Sequence, residues 1–397
     1  MTMSEKLAKN DVMENIQQNK IKVVVLADVP IWILPGLERY RSSGHYATWL
    51  ESLIPEFKNI HELEMHWITF SKEVDKNLNC EVWNQTFHVL KRGKKSLSLM
   101  TGYYIERQRI NSVISRLNPD VIHAWGTEDV YGLAGAHYKL ENKIFSLQGC
   151  LKACLEQAKT PPFFMRVQGL YELKSIKSYS WATAESLLAI KHLKNMNSEI
   201  DARIVEYGVS KEFFDAEWNP SKNPELVFVG SVSQAKGILD LCNVMAMEGL
   251  SDVKLKVIGD SSVEIQERYG NNIEWLGRLS RTQLIKQMEK AWALIIPTYA
   301  DTGPSVVKEA RVVGLPVITT TAAGASTYIK DGKSGYVITP GDREDLHKSI
   351  LKLVDSRNQC VAMGQHNWTL TRKSLMASST ARKFAKLYYS IFNNTPF

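Results

Sequence analysis

The stretch Leu294-Ile-Ile-Pro-Thr-Tyr-Ala-Asp-Thr-Gly-Pro-Ser-Val-Val-Lys-Glu-Ala-Arg-Val-Val-Gly-Leu-Pro-Val-Ile-Thr-Thr320 decides how the rest of the chain is read. Its apolar run, Leu294 to Pro297, predicts a buried parallel strand. A polar loop follows from Thr298 to Gly303. Pro304 and Ser305 then open a helix, because proline in the first turn sacrifices no needed donor. Gly314 closes the helix, and Pro316 to Thr320 is a second, β-branched run. The result is a βαβ unit whose loop lies at the carboxyl end of a strand, where open α/β sheets bind ligands.

Two carboxylates and a helix start carry the chemistry. Asp301 sits in the loop and Glu309 lies eight positions on, inside the helix. Amides near Ser305 and Val306, aided by the helix dipole, form a seat for phosphate. A carboxylate beside such a seat would repel phosphate, so it is better suited to accepting hydrogen bonds from neutral hydroxyls such as those of sugars and riboses. A phosphate flanked by two polyhydroxylated rings has the shape of a nucleotide sugar. Spacing alone leaves a second reading open, with Asp301 a turn residue and Glu309 part of a solvated helix face.

The surrounding pattern resembles the C-terminal signature of family 4 glycosyltransferases, whose E-x7-E motif precedes helix, Gly-x-Pro and strand. Here it stands as Asp301-x7-Glu309, then Gly314-Leu315-Pro316-Val317-Ile318, with an aspartate in place of the first glutamate. The resemblance covers about residues 20 to 390 and is strongest over 225 to 342. It implies an α/β protein of GT-B fold, two Rossmann-like domains facing across a cleft, with a C-terminal helix crossing back to the N-terminal domain. It also implies retaining transfer of a sugar from a nucleotide diphosphate sugar to a glycan, lipid-linked or small-molecule acceptor, in polysaccharide or glycoconjugate synthesis.

Bulk properties agree with that frame. A chain of 397 residues exceeds the size of a single core. The expected division is a polar extension over 1–20, an acceptor domain over 21–197, a nucleotide-sugar domain over 198–375 and a returning helix over 376–397. Hydrophobic content of 44% and charged content of 23% are those of an ordinary globular chain. The net charge of +7 favours anionic partners. Five scattered cysteines suit a reducing compartment, and Cys150 with Cys154 lacks the second pair that zinc would need. No apolar run reaches the ~18 residues that span a bilayer, and Met1 to Lys20 has no signal-peptide core. The expected location is cytoplasmic, with peripheral contact at the inner face of the membrane. Lys91-Arg-Gly-Lys-Lys95, followed by Leu97, Leu99 and Met100, is either a solvated loop or, as the resemblance implies for lipid-linked acceptors, a membrane-touching patch.

In the N-terminal half, Ile21 to Ala27 predicts the first parallel strand. Further strands are expected at Leu63–Phe70, Val82–Leu90, Asp120–Ala124, Lys143–Leu147 and Tyr179–Thr183, alternating with helices as βαβ units do. The family carries a glycine pair after the first strand that approaches the donor phosphates. Gly44 fills that place, with Gly36 as a competitor, and His45 beside it faces either the cleft or solvent. Asn118-Pro-Asp-Val-Ile-His-Ala-Trp-Gly126 resembles the family's P-D-V-x-H-x-H segment. His123 matches the first histidine, for a catalytic or a satisfied core role, while Trp125 replaces the second. Thr127, Glu128 or Asp129 are then the alternatives for lining the cleft, and the resemblance implies that Gln148 and Gly149 point toward it.

In the C-terminal half, Arg203-Ile-Val-Glu-Tyr-Gly-Val209 resembles V-I-P-N-G-V, with Glu206 and Tyr207 in place of Pro and Asn. Where relatives read G-R-L and then K-G, this chain has Gly230-Ser231-Val232 and Lys236-Gly237. The missing arginine removes a charge-assisted phosphate contact. Gly324-Ala325 and Tyr328 to Gly335 resemble a later glycine pair and D-G-x-x-G segment that lacks the family's glutamate.

The resemblance therefore implies a catalytic set of Asp301, Lys236 and His123. Lys236 and the amides of Ser305 and Val306 meet the leaving diphosphate, Asp301 the donor-sugar hydroxyls and Glu309 the ribose. Gly230, Ser231, Gly303, Pro304, Gly44 and Arg278 complete the donor site, and Trp125, Gln148 and His45 form the acceptor side. There is no Asp-x-Asp motif, so neither metal nor cofactor is expected beyond the donor. No interleaved basic and aromatic patch suggests nucleic acid. An epimerase or phosphorylase of the same fold, or a binding protein decayed from a transferase, is the competing reading.

Overall fold

The computed structural model describes residues 20–41, 48–93, 95–127, 129–152, 155, 160–270 and 272–395. Two compact units result. The first comprises Met1–Ala184, His192–Val205 and Thr380–Phe397; the second Glu185–Lys191 and Glu206–Ser379. The expected junction after residue 197 lies inside the first unit, because the strand Asp201–Ile204 pairs with Trp181–Ala184 and extends that unit's sheet.

The first unit is an eight-stranded sheet of β1 (Ile21–Leu26), β2 (Leu63–Ser71), β3 (Leu78–Val82), β4 (Gln85–Lys91), β5 (Val121–Trp125), β6 (Lys143–Ser146), β7 (Trp181–Ala184) and β8 (Asp201–Ile204), in the order β3-β4-β2-β1-β5-β6-β7-β8. Every pair is parallel except β3–β4. Val23 to Ala27 is fully buried, as expected of a central strand covered on both faces. The run read as one strand over Val82–Leu90 is instead the end of a hairpin. Trp83 and Asn84 form its turn at φ 54° and 58°, the left-handed pair that lets a two-residue turn match strand twist.

The helices Lys95–Met100 (α1), Tyr104–Leu117 (α2), Val130–His137 (α3) and Phe163–Ile176 (α4) belong to this unit. The second unit contains Ser305–Val313 (α5), and Ala377–Phe392 (α6) ends the chain. From Thr380 onward α6 is part of the first unit, its Phe384 ring 5.2 Å from that of His123.

The second unit is a six-stranded, all-parallel sheet: β9 (Glu225–Val229), β10 (Lys254–Ile258), β11 (Ile273–Gly277), β12 (Ala293–Ile296), β13 (Val317–Thr320) and β14 (Gly335–Ile338), in the order β11-β10-β9-β12-β13-β14. The chain winds outward one way from β9 and the other way from β12. That switch point opens a crevice at the carboxyl ends of these two strands. The first sheet has its own switch point between β1 and β5.

Candidate functional site

Lys236 and Asp301 meet at the switch point of the second sheet. Lys236 ends a short 3-10 turn, Gln234–Lys236, after β9, and Asp301 lies in the loop after β12. The lysine Nζ donates to Asp301 Oδ2, with the two side chains 31% and 14% exposed, so the pair remains reachable from solvent. The turn is held against its neighbour by backbone: Ala235 O accepts from Tyr299 N and from Thr298 Oγ1, each at 2.9 Å. Gly237 makes this approach possible. Its φ is +70°, and a Cβ there would stand 2.0 Å from Pro297 O.

The other Asp301 oxygen accepts from Gly303 N at 3.1 Å, and Asp301 O accepts from Gly324 N at 2.7 Å. A side chain at Gly324 would collide with Thr302 O, so the glycine lets the Thr321–Gly324 turn close on the loop. Pro304 is the N-cap of α5 and has no side-chain cap; Ser305 is the first helical residue. The Ser305 and Val306 amides have no partner among the described residues, as the first turn of a helix requires when nothing caps it. Glu309 lies four residues after Ser305 and so shares its face. It is half-buried, and burial pushes its carboxyl up to about 7, with Lys308 and Arg281 pulling the other way.

Two ion pairs anchor α5 from behind. Lys308 donates to Glu185, and Arg311 to Glu206 at 2.9 Å; all four side chains are nearly buried. Ser186 Oγ donates to Thr302 O at 2.7 Å, and Tyr328 Oη to Glu185 O at 2.6 Å. Burial raises the Glu185 carboxyl, opposed mainly by Lys308. This set positions the loop that holds Asp301. Sequence reading noticed Glu206 only as a departure from V-I-P-N-G-V, because Arg311 is 105 residues away.

The remaining donor-side residues occupy the carboxyl edge of the same sheet. Gly230 and exposed Ser231 follow β9, and Ser231 Oγ stands 3.4 Å from Ser233 Oγ. Arg278 follows β11 and forms an exposed ion pair with Asp260, with Nε donating at 2.6 Å. Gly44 and His45 lie outside the described residues. Their competitor Gly36 is exposed, at φ +81°.

His123 leaves the catalytic set. It lies within β5, wholly buried, with Nδ1 2.7 Å from Tyr388 Oη and Nε2 2.7 Å from Ser146 Oγ. Burial lowers it to about 3, so it stays neutral and reaches no substrate. Trp125 leaves the acceptor side for the same reason. It is 2% exposed, its ring 4.5 Å from that of Trp49, 5.9 Å from Trp67 and 5.4 Å from Phe384. Thr127 is buried against Glu172, to which it donates at 2.8 Å. Glu128 lies outside the described residues. Gln148 follows β6 and is half-buried.

The first sheet's switch point instead opens a pocket of about 220 Å³. Asp28 and Trp32 after β1, Tyr40, Phe70, Glu73 and Asp129 are among its lining residues. Arg92 also lines it, bound through both terminal nitrogens to the Asp129 carboxylate; the guanidinium over Phe70 is 5.8 Å from the ring centroid. Of these residues, sequence reading had reached only Asp129 and the Lys91–Lys95 cluster containing Arg92.

Comparison with known proteins bears on this arrangement. Residues 209–367 match the family model described as glycosyl transferases group 1. Over 352 residues the chain is 24% identical to an uncharacterized glycosyltransferase of Methanocaldococcus jannaschii, covering 84% of this chain and 91% of that protein. It superposes on a sucrose-phosphate synthase from Thermosynechococcus elongatus with a TM-score of 0.76 at 13% identity, over 95% of this chain and 100% of that one. Anabaena HepE in complex with UDP gives a TM-score of 0.68 at 16% identity, over 93% and 100%. The fold is thus the two-domain α/β architecture with parallel sheets of GT-B glycosyltransferase structures.

Proposed function

We propose that this chain is a retaining glycosyltransferase that moves a sugar from a nucleotide diphosphate sugar to a hydroxyl of a glycan, lipid-linked or small-molecule acceptor, in polysaccharide or glycoconjugate synthesis. One observation carries the reading: the solvent-reachable Lys236–Asp301 pair stands at the second sheet's switch point, with Asp301 in the loop that leads into the uncapped first turn of α5. A lysine ammonium has three N–H donors, so the one given to Asp301 leaves two for phosphate oxygens. With the Ser305 and Val306 amides these form a set of donors fixed before reaction, which stabilise the diphosphate as it takes up the electrons of the breaking glycosidic bond. Asp301 retains lone pairs for sugar hydroxyls, and Glu309 accepts from the ribose.

Asp301 is a poor nucleophile while Lys236 and the Gly303 amide hold its oxygens. The reading is therefore front-face attack: the acceptor oxygen bonds the anomeric carbon on the face the phosphate leaves, and a phosphate oxygen takes the hydroxyl proton. No metal is needed for this step. The acceptor occupies the first unit's pocket, whose carboxylates and aromatic rings suit a polyhydroxylated ring.

The test is a panel of UDP-, GDP- and ADP-sugars with the purified chain, reading thermal shift, nucleoside diphosphate release and anomeric configuration of the product. Transfer with retention that persists in chelator is expected. Donor isomerisation alone indicates an epimerase, phosphate-dependent cleavage a phosphorylase, and a raised melting temperature without turnover a binding protein.

A further inference from the structure

The two segments that supply Lys236 and Asp301 are tied together a second time. Four residues after Lys236, Asp240 lies in the first turn of the helix Ile238–Met245. Two residues before Asp301, Tyr299 reaches across to it, and its Oη donates to Asp240 Oδ2 at 2.7 Å. Lys236 meets Asp301 while Asp240 meets Tyr299, so the same two segments are bridged twice, running in opposite directions. Beside these bridges stands the backbone contact of Tyr299 N with Ala235 O.

The second bridge is braced from outside. The other Asp240 oxygen accepts from Arg343 Nε at 2.7 Å, so both oxygens are engaged and the carboxylate is held in one orientation. Its side chain is 13% exposed and Tyr299 is half-buried, which keeps water from competing strongly for the bond. Gly341, at φ +79°, lets the loop before Arg343 close on the ring: a Cβ there would stand 2.9 Å from Tyr299 Oη. The hydrogen bond to Asp240, with burial, raises the Tyr299 phenol above its ordinary 10, so the hydroxyl stays a donor throughout the neutral range.

The first bridge has no such protection. A nucleotide sugar competes for both of its ends, phosphate oxygens for the Lys236 ammonium and sugar hydroxyls for the Asp301 carboxylate. As their hold on each other weakens, the two groups need another constraint to stay aligned. The backbone contact at Ala235 is one point, about which two segments still twist; a second point at Asp240 and Tyr299 removes that freedom. We propose that Tyr299 and Asp240 are positioning residues of the donor site, the fixed bridge that keeps Lys236 and Asp301 aligned while the donor is bound. Neither touches the donor; both act through the pair beside them. That role presupposes the transferase reading.

The experiment is a double-mutant cycle on the full chain, reading kcat and donor KM for nucleoside diphosphate release together with melting temperature. Tyr299→Phe removes only the hydroxyl. It should lower kcat about tenfold at a donor KM within about twofold, as when alignment in the transition state is lost rather than binding. Asp240→Ala should match it. Asp240→Asn, which keeps an oxygen for the phenol, should recover the rate to within about threefold of wild type. In a Lys236→Ala background Tyr299→Phe should cost less than about threefold, because one of the two groups it aligns is gone. The proposal is overturned if Tyr299→Phe keeps the wild-type kcat, or if its cost is the same in the Lys236→Ala background. It is also overturned if activity falls only in proportion to the unfolded fraction seen in the melts. A wild type that turns over no donor overturns the transferase reading instead. Calorimetry with UDP, GDP and ADP on the same cycle then decides the bridge: coupling between residues 236 and 299 upholds it, and additive losses or no binding overturn it.

Discussion

The two sheets place their pockets by the same rule and fill them differently. In each, the chain reverses its winding between two neighbouring strands, and a crevice opens at their carboxyl ends. In the second unit the residues past β9 and β12 bring a reachable ammonium and carboxylate together, the carboxylate in the loop that leads into the uncapped first turn of α5, and on this arrangement the proposed donor site rests. In the first unit the residues past β1 and β5 supply Asp28 and the Arg92–Asp129 pair with aromatic walls. His123, which lies inside β5 rather than beyond it, is sealed between two hydroxyls. A side chain within a central strand of a doubly covered sheet is core whatever its chemistry; a few residues beyond the strand end, the same chemistry becomes available.

Four experiments would break or sharpen that contrast. The largest effect is expected at Lys236: Lys236→Ala should lower kcat/KM for nucleoside diphosphate release by about 10²–10³, the usual loss for one preorganised donor to a developing oxyanion. A loss below tenfold would remove the second switch point from the chemistry. Next comes pH. Glu309 titrates near 7 in the free protein because burial disfavours its charge, whereas ribose hydroxyls donate best to the ionised form. Donor affinity, read by calorimetry, should therefore rise with pH through 7, falling up to about tenfold per unit on the acid side, and Glu309→Gln should flatten the profile.

The same shift has the opposite sign for stability. The carboxyl's folded value lies above its ordinary 4.5, so the stability it contributes is present below 4.5 and lost as pH rises through about 7. A smaller effect is expected in the first unit, where Asp28→Asn should raise acceptor KM about fivefold, a hydrogen bond to a charged acceptor becoming one to a neutral amide oxygen. Donor hydrolysis without acceptor should be unchanged. The smallest effect on rate is at His123: His123→Phe should change kcat/KM less than threefold. It should cost about 1–3 kcal/mol of stability in denaturant melts, because the Tyr388 and Ser146 hydroxyls lose a buried partner. A large rate loss at constant stability would restore His123 to catalysis.

Legibility followed the range of the interactions. The β12–α5–β13 stretch could be read from its own residues, since apolar runs, an uncapped proline start and a glycine stop act within a few positions. The hairpin at Trp83-Asn84 could not, because neither residue is the glycine that announces a left-handed turn. Glu206 looked like a departure from a family pattern until Arg311 was found against it. His123 could be read as catalytic or as core until Tyr388, 265 residues on, was found holding it.

The sequence by itself determined the alternation of strand and helix, the two-unit α/β plan and the residue types in the loop at Asp301, because periodicity and capping are local. Only the tertiary structure decided which charged groups pair and which histidine is core. Those outcomes depend on burial and on partners that the chain brings together from far apart.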